Sequence, residues 1–182
     1  MHLVESSIAL EFPDNNYFRI CDCNEYRRLN GIREMDVCWY DKNGNKLFLI
    51  ELKDWGNASI DEENNDSIPK GVIDEKKKGI ENYRIRNLLE KSIDSMCIFS
   101  SILLNRSCGR RVNSDIPFKI DLETKIILLS IVNWTDSDES YISNINTSYK
   151  SKFNSYAKLF GVAEYFVLTK RLAIKHFSWV KN

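Results

Sequence analysis

A mixed α/β or α+β fold is what this chain of 182 residues predicts, with strands first and helices later. Three observations predict it. Short apolar stretches with period-two alternation crowd the part of the chain before Asp54. A helical period takes over from about 72 to 104. Beyond that, β-branched apolar runs and amphipathic runs alternate to the end. Such an order gives a mixed β-sheet with an N-terminal antiparallel meander, flanked by helices. The length suits one domain, 1–182, with room for a substantial core.

The elements can be justified in turn. Residues 6–12 alternate, with Ile8, Leu10 and Phe12 on one face, and read as a strand. A short helix over 3–11 is the alternative, because so short a segment fixes its period weakly. Pro13-Asp14-Asn15-Asn16 is turn chemistry, and 17–23 reads as a second strand. A polar connection leads to two further strands, 35–40 and 47–53, joined through Asn43-Gly44. Residues 54–70 form a long acidic loop. In the helix that follows, Ile85, Leu88, Ser92, Met96 and Phe99 share a face, and Gly79 marks a kink or the true start. The segment NRSCGRRVNSDIPFKIDLE reads as a loop. KIILLSIVNW, at 125–134, is apolar on both parities, so it reads as a strand covered on both faces. A polar loop, an amphipathic helix over about 140–160 closed by Gly161, a strand at 164–169 and a short last helix, KRLAIKHF, complete the order.

Composition narrows the function classes. Lys plus Arg number 26 and Asp plus Glu 26, so the net charge is zero. The molecule as a whole therefore exerts no strong pull on nucleic acid or an anionic membrane, and a polyanion would need a local patch, a metal or a partner subunit. No apolar run approaches the length of about eighteen residues that spans a bilayer, and no signal peptide is evident. Cys21, Cys23, Cys38, Cys97 and Cys108 form no regular framework, which suggests reduced thiols in a cytoplasm. Cys21 and Cys23 lack a second ligand pair nearby and read as structural thiols in preference to a zinc site.

The hairpin 35–53 carries the chemistry. Asn43-Gly44 is the strongest short hairpin signal, a type I′ turn. As a two-residue loop it pairs Tyr40 with Leu47, Cys38 with Leu49 and Asp36 with Glu51. The last pair would bring two carboxylates to a Cβ separation of about 4.5–5.5 Å on one face, with Lys53 two residues on and Phe48, Ile50 and Leu52 on the other. Opposed carboxylates repel, and apolar surroundings make the repulsion worse. A divalent cation between them, neutralisation by Lys53 and an arginine, or exposure at a sheet rim would each offset it. Mg²⁺ or Mn²⁺ suits the oxygen donors, with the Leu52 carbonyl as a third ligand. Lys53 would then stand where it could stabilise charge on a phosphate or help activate a water.

Asp36, a hairpin and then Glu51-x-Lys53 resembles the motif of the PD-(D/E)xK nuclease superfamily, whose fold is that of many restriction endonucleases. The order of elements matches over most of the chain, and the motif rests on three residues. The residue before Asp36 is Met35 where the family has proline. The resemblance implies a restriction-endonuclease-like domain that hydrolyses phosphodiester bonds of nucleic acid, DNA in preference to RNA. Asp36 and Glu51 would hold Mg²⁺ or Mn²⁺, and Lys53 would assist the attacking water. It also implies an additional acidic ligand from an N-terminal helix, for which Glu5 is preferred over Glu11. A homodimer or a subunit of a larger complex, in a restriction or anti-phage system, fits the neutral charge. A catalytically inactive module of the same fold is the alternative.

Other features are weaker. Arg106, Arg110 and Arg111 cluster where they could contact a phosphate backbone, or be a solvated surface. Lys76-Lys77-Lys78 could face the catalytic side, though a charge run is more often a solvated face. Trp55 could stack on a base, but a core or rim position is the commoner use of such a residue. No G-x-S-x-G, P-loop or dinucleotide fingerprint is present, and His2 and His176 lie at opposite ends.

Overall fold

The computed structural model describes residues 2–56, 70–135 and 139–181, without the side chains of residue 2 and residues 70–74. Most of the acidic loop expected at 54–70, and residues 136–138 of the later polar loop, lie outside the described residues.

The N-terminal segment folds as a hairpin, β1 (His2–Glu5) and β2 (Ile8–Glu11), with Glu5 opposite Ile8. The strand expected at 6–12 is thus shortened to Ile8–Glu11 and preceded by a further strand, and the helical alternative is not adopted. Ser6 and Ser7 make the turn with φ of 53° and 60°, a left-handed pair that no glycine announces. Strand β3 covers only Tyr17–Phe18, and the chain then coils into a 3-10 turn at Ile20–Asp22. The strand expected at 17–23 is cut short: it pairs with β4 (Val37–Asp41) only through Tyr17 to Trp39 and Phe18 to Cys38 before the chain turns.

β4 and β5 (Lys46–Asp54) pair antiparallel in the expected register, Tyr40 with Leu47 and Cys38 with Leu49. The turn differs from the expected type I′. Asp41 pairs with Lys46 across a four-residue loop, and Asn45 takes the left-handed conformation at φ 47°. Lengthening a loop by one residue on each side leaves every strand pairing unchanged, so the register survives the change of turn. At Gly44 a Cβ would lie 2.7 Å from Asp41 Oδ2, so a side chain there would displace the Asp41 carboxylate.

Helix α1 runs from Lys70 to Leu103 without a break at Gly79. The arginine-rich stretch expected as a loop contains a second helix, α2 (Ser107–Asn113). It folds back across the end of α1, where the Gly109 N–H donates to Ser101 Oγ at 3.1 Å. A Cβ on Gly109 would lie 2.2 Å from the Ser101 backbone. Gly109→Ala is therefore expected to destabilise the fold by about 2 kcal/mol. Urea unfolding checks this, and an unchanged midpoint would show that the α1–α2 crossing is loose.

Strands β6 (Lys125–Asn133) and β7 (Val162–Thr169) add to β5 in parallel, giving a five-stranded sheet in the order β3-β4-β5-β6-β7. Between them runs α3 (Ser140–Phe160), ended as expected by Gly161 in the left-handed conformation. Ile126, Leu128 and Val132 of β6 join the core under α1 and α3, and Ile127, Leu129 and Ile131 join the core on the other face. That second core is closed by α4 (Lys170–His176) and by a three-stranded sheet in which β8 (Val180–Lys181) pairs with β2. The fold is therefore mixed α+β, with two sheets and four helices among the described residues. No described helix is long and apolar enough to cross a membrane.

Candidate metal centre

The hairpin's alternation decides which side chains meet. Phe48, Ile50 and Leu52 point into the core under the small sheet, and Leu47 and Leu49 point toward α1. Glu51 continues the α1-facing series and is 1% exposed. Beyond Val37–Ile50 the ladder stops, because the preceding segment is tied to α1 instead. The Arg33 N–H donates to Asp94 Oδ2 at 2.9 Å and the Met35 N–H to Ser95 Oγ at 2.9 Å. Asp36 fills the gap with its side chain: its Oδ2 accepts the Leu52 N–H at 2.7 Å, a bond the strand backbone no longer supplies.

The Asp36 and Glu51 carboxylates converge on one point, and that point holds the Lys91 ammonium. Nζ lies 3.0 Å from Asp36 Oδ1, and 2.8 Å and 2.9 Å from the two Glu51 oxygens. Lys53 Nζ approaches Glu51 Oε1 at 2.5 Å from the other side. Despite the two ammoniums, Glu51 Oε1 is buried without an aligned hydrogen bond. Neutralisation therefore comes from Lys53 and from a lysine of α1, where the sequence suggested an arginine. Lys91 is the member of this cluster that sequence reading missed. Its one local signal is that a cation stands three residues after Leu88 and four before Ser95, both buried on the face packed against the sheet.

Burial pushes the Glu51 carboxyl up to about 7, the Asp36 charge adds to the rise, and Lys91 and Lys53 oppose it. Burial works against the Lys91 charge, but the Glu51 and Asp36 carboxylates outweigh it and raise its pKa above the ordinary lysine value.

The remaining sequence candidates fall in different places. The Leu52 carbonyl accepts the Ser6 hydroxyl at 3.1 Å, so the tip of the N-terminal hairpin sits against the site. A carbonyl keeps a second lone pair for another partner. Glu5 lies at the end of a strand, not on the helix implied by the family resemblance, and its Oε2 pairs with Arg19 at 3.2 Å. Among the described residues no three acidic, histidine or cysteine side chains gather as a metal cluster, so Glu5 does not join Asp36 and Glu51. Arg110 and Arg111 sit on α2 with Arg106 at its N-cap. Arg111 Nε donates to Glu25 Oε2 at 2.8 Å. α2 crosses α1 near Ser101, about 15 Å along the helix from Lys91 at the standard rise. The arginines are thus exposed but are not brought to the carboxylates.

Trp55, two residues beyond Lys53, packs against a cation of the same helix. The Arg84 guanidinium lies 4.7 Å from the Trp55 ring centre and 5.5 Å from that of Tyr141, whose hydroxyl it meets at 3.1 Å. Arg84 and Lys91 are two helical turns apart, so one side of α1 carries both cations over the sheet.

The donor set suits a hard divalent ion. Two carboxylate oxygens point at one position and one carries no aligned hydrogen bond. Mg²⁺ is commonly held by one or two carboxylates with waters completing its shell. No family model, curated protein or solved structure matches this chain.

Proposed function

We propose that this chain is a metal-dependent phosphodiesterase acting on DNA, a nuclease of the restriction-endonuclease-like type. The observation that carries the reading is the convergence of the Asp36 and Glu51 carboxylates on a single cation position, with Lys53 on the same face of the same strand. The order of elements supports it: an antiparallel hairpin bearing the acidic pair, a long helix, and a strand added in parallel beside β5.

In this reading Asp36 and Glu51 hold Mg²⁺ or Mn²⁺, and the Leu52 carbonyl borders the position. The bound ion supplies an activated water and positive charge for the phosphoryl oxygens. Lys53 sets its ammonium beside Glu51, where it can meet negative charge that builds on the phosphate during in-line attack. Trp55 lies just past the end of β5, with the Arg84 guanidinium stacked on it. Neutral net charge suits a homodimer or a subunit of a larger assembly.

A second reading has an observation of its own. The Lys91 ammonium already bridges both carboxylates and, with Lys53, balances their charge, as it would in an inactive interaction module that needs no metal.

Calorimetric titration of Mn²⁺ into wild type and Asp36→Ala, followed by plasmid nicking in the same buffer, separates the two. Wild type is expected to bind Mn²⁺ and nick only in its presence, and Asp36→Ala to lose both. No Mn²⁺ binding by wild type, with or without DNA, would leave the interaction module as the account.

A further inference from the structure

The α1 lysine between the carboxylates has a consequence of its own for the proposed metal site. We infer that Lys91 is the resident cation of the Asp36–Glu51 pair, that a divalent ion can be held by both carboxylates only after the ammonium leaves, and that Lys91 thereby sets the site's metal affinity. The inference rests on the nuclease reading and adds to it a determinant that lies outside the D…ExK pattern.

Geometry is the first argument. Nζ lies at 3.0 Å from Asp36 and at 2.8 and 2.9 Å from Glu51, so it occupies the volume on which both groups converge. A Mg²⁺-sized ion held by one oxygen from each would sit about 2.0–2.1 Å from each, in that same volume. An ammonium nitrogen and a metal ion cannot share it.

Charge is the second. Two carboxylates with Lys53 and Lys91 sum to zero, so a divalent ion entering beside both ammoniums meets no net attraction. Without Lys91 the cluster carries one net negative charge at short range and low exposure, where Coulomb terms are large.

Construction is the third. Lys91 is not a surface side chain that has fallen onto an acid. Asp94 and Ser95, one helical turn later, grip the backbone of Arg33 and Met35 immediately before Asp36. The same helix therefore fixes the position of Asp36 and delivers the cation to it. An exit also exists: the Lys91 side chain is 17% exposed against 1% for Glu51, and a four-carbon stem can swing its head toward water.

The test measures binding, not cleavage. Mn²⁺ is titrated into wild type, Lys91→Gln and Lys91→Arg at one pH and salt concentration, and thermal unfolding of each is recorded with and without Mn²⁺. Lys91→Gln is expected to bind about tenfold tighter or more, given the charge removed at contact distance. Its melting temperature should rise with Mn²⁺ by more than that of wild type, because the ion replaces the lost counter-charge. Lys91→Arg, which keeps the charge, should bind no tighter than wild type. If Lys91→Gln folds only when Mn²⁺ is present, the inference stands; if Mn²⁺ fails to recover it, the inference falls. Equal or weaker affinity in Lys91→Gln, with wild type binding normally, overturns this inference alone and leaves the nuclease reading intact. Absence of binding in all three proteins overturns both.

Discussion

Lys53→Met is expected to slow metal-dependent DNA cleavage by about 10²–10³-fold, the usual loss when one positioned donor to developing charge is removed. It should do so without weakening Mn²⁺ binding. Lys53 is no ligand in this reading, and removing a positive charge 2.5 Å from Glu51 leaves the carboxylates more attractive to a cation. Its stem should tolerate the change, since methionine keeps an unbranched chain of similar length and the side chain is already partly exposed. Single-turnover cleavage at saturating Mn²⁺, beside a calorimetric titration of the same variant, gives the two numbers. Cleavage at the wild-type rate would reduce Lys53 to a counter-charge for Glu51. Loss of Mn²⁺ binding together with cleavage would mean that Lys53 holds the pocket's shape and does not act on the phosphate.

In metal-free protein, Glu51→Gln should gain about 3 kcal/mol of stability relative to wild type between pH 4.5 and 7, the size of the Glu51 shift in energy terms. The direction follows from linkage. A carboxyl whose pKa is higher in the folded chain keeps its proton longer there than in the unfolded chain. What that contributes to stability is complete below the unfolded value and is lost as the pH rises through about 7. Glutamine has the same shape and does not titrate, so other groups cancel when the two proteins are compared. Urea midpoints for both, measured in chelator at half-unit steps from pH 4.5 to 8, give the difference directly. Parallel curves over this range would show that Lys91 and Lys53 fully offset the burial of Glu51 and leave its carboxyl titrating alike in the folded and unfolded chain.

Whatever those measurements return, the residues they probe were legible from sequence to different degrees. Glu51 and Lys53 were placed on one face by counting alone. The strands flanking Asn43-Gly44 pair as the alternation demands, although the turn is longer than a type I′ loop and uses Asn45 as its left-handed residue. Register depends on the symmetry of the loop and on which parity is apolar, and both could be read within about ten residues. The doubly covered strand β6 and the helix ended by Gly161 were legible for the same reason, since each signal lies inside its own element.

Other elements gave no such signal. A turn through Ser6 and Ser7 has neither glycine nor asparagine to mark it, so the N-terminal hairpin was hidden. α2 looked like a loop because it is short and contains Gly109, whose lack of a side chain serves the crossing over α1 and not a turn. β8 has only two residues and exists through its pairing with β2.

By itself, then, the sequence determined the α+β order, the hairpin register, and the face on which Glu51 and Lys53 lie, because chain periodicity is a local property. The tertiary structure alone decided that Asp36 bonds the Leu52 amide, that Glu5 pairs with Arg19, and that Lys91 sits between the two carboxylates. Lys91 is forty residues from Glu51. Where its ammonium lands depends on how α1 is rotated and offset against the sheet, which the packing of the whole interface sets and no local pattern records.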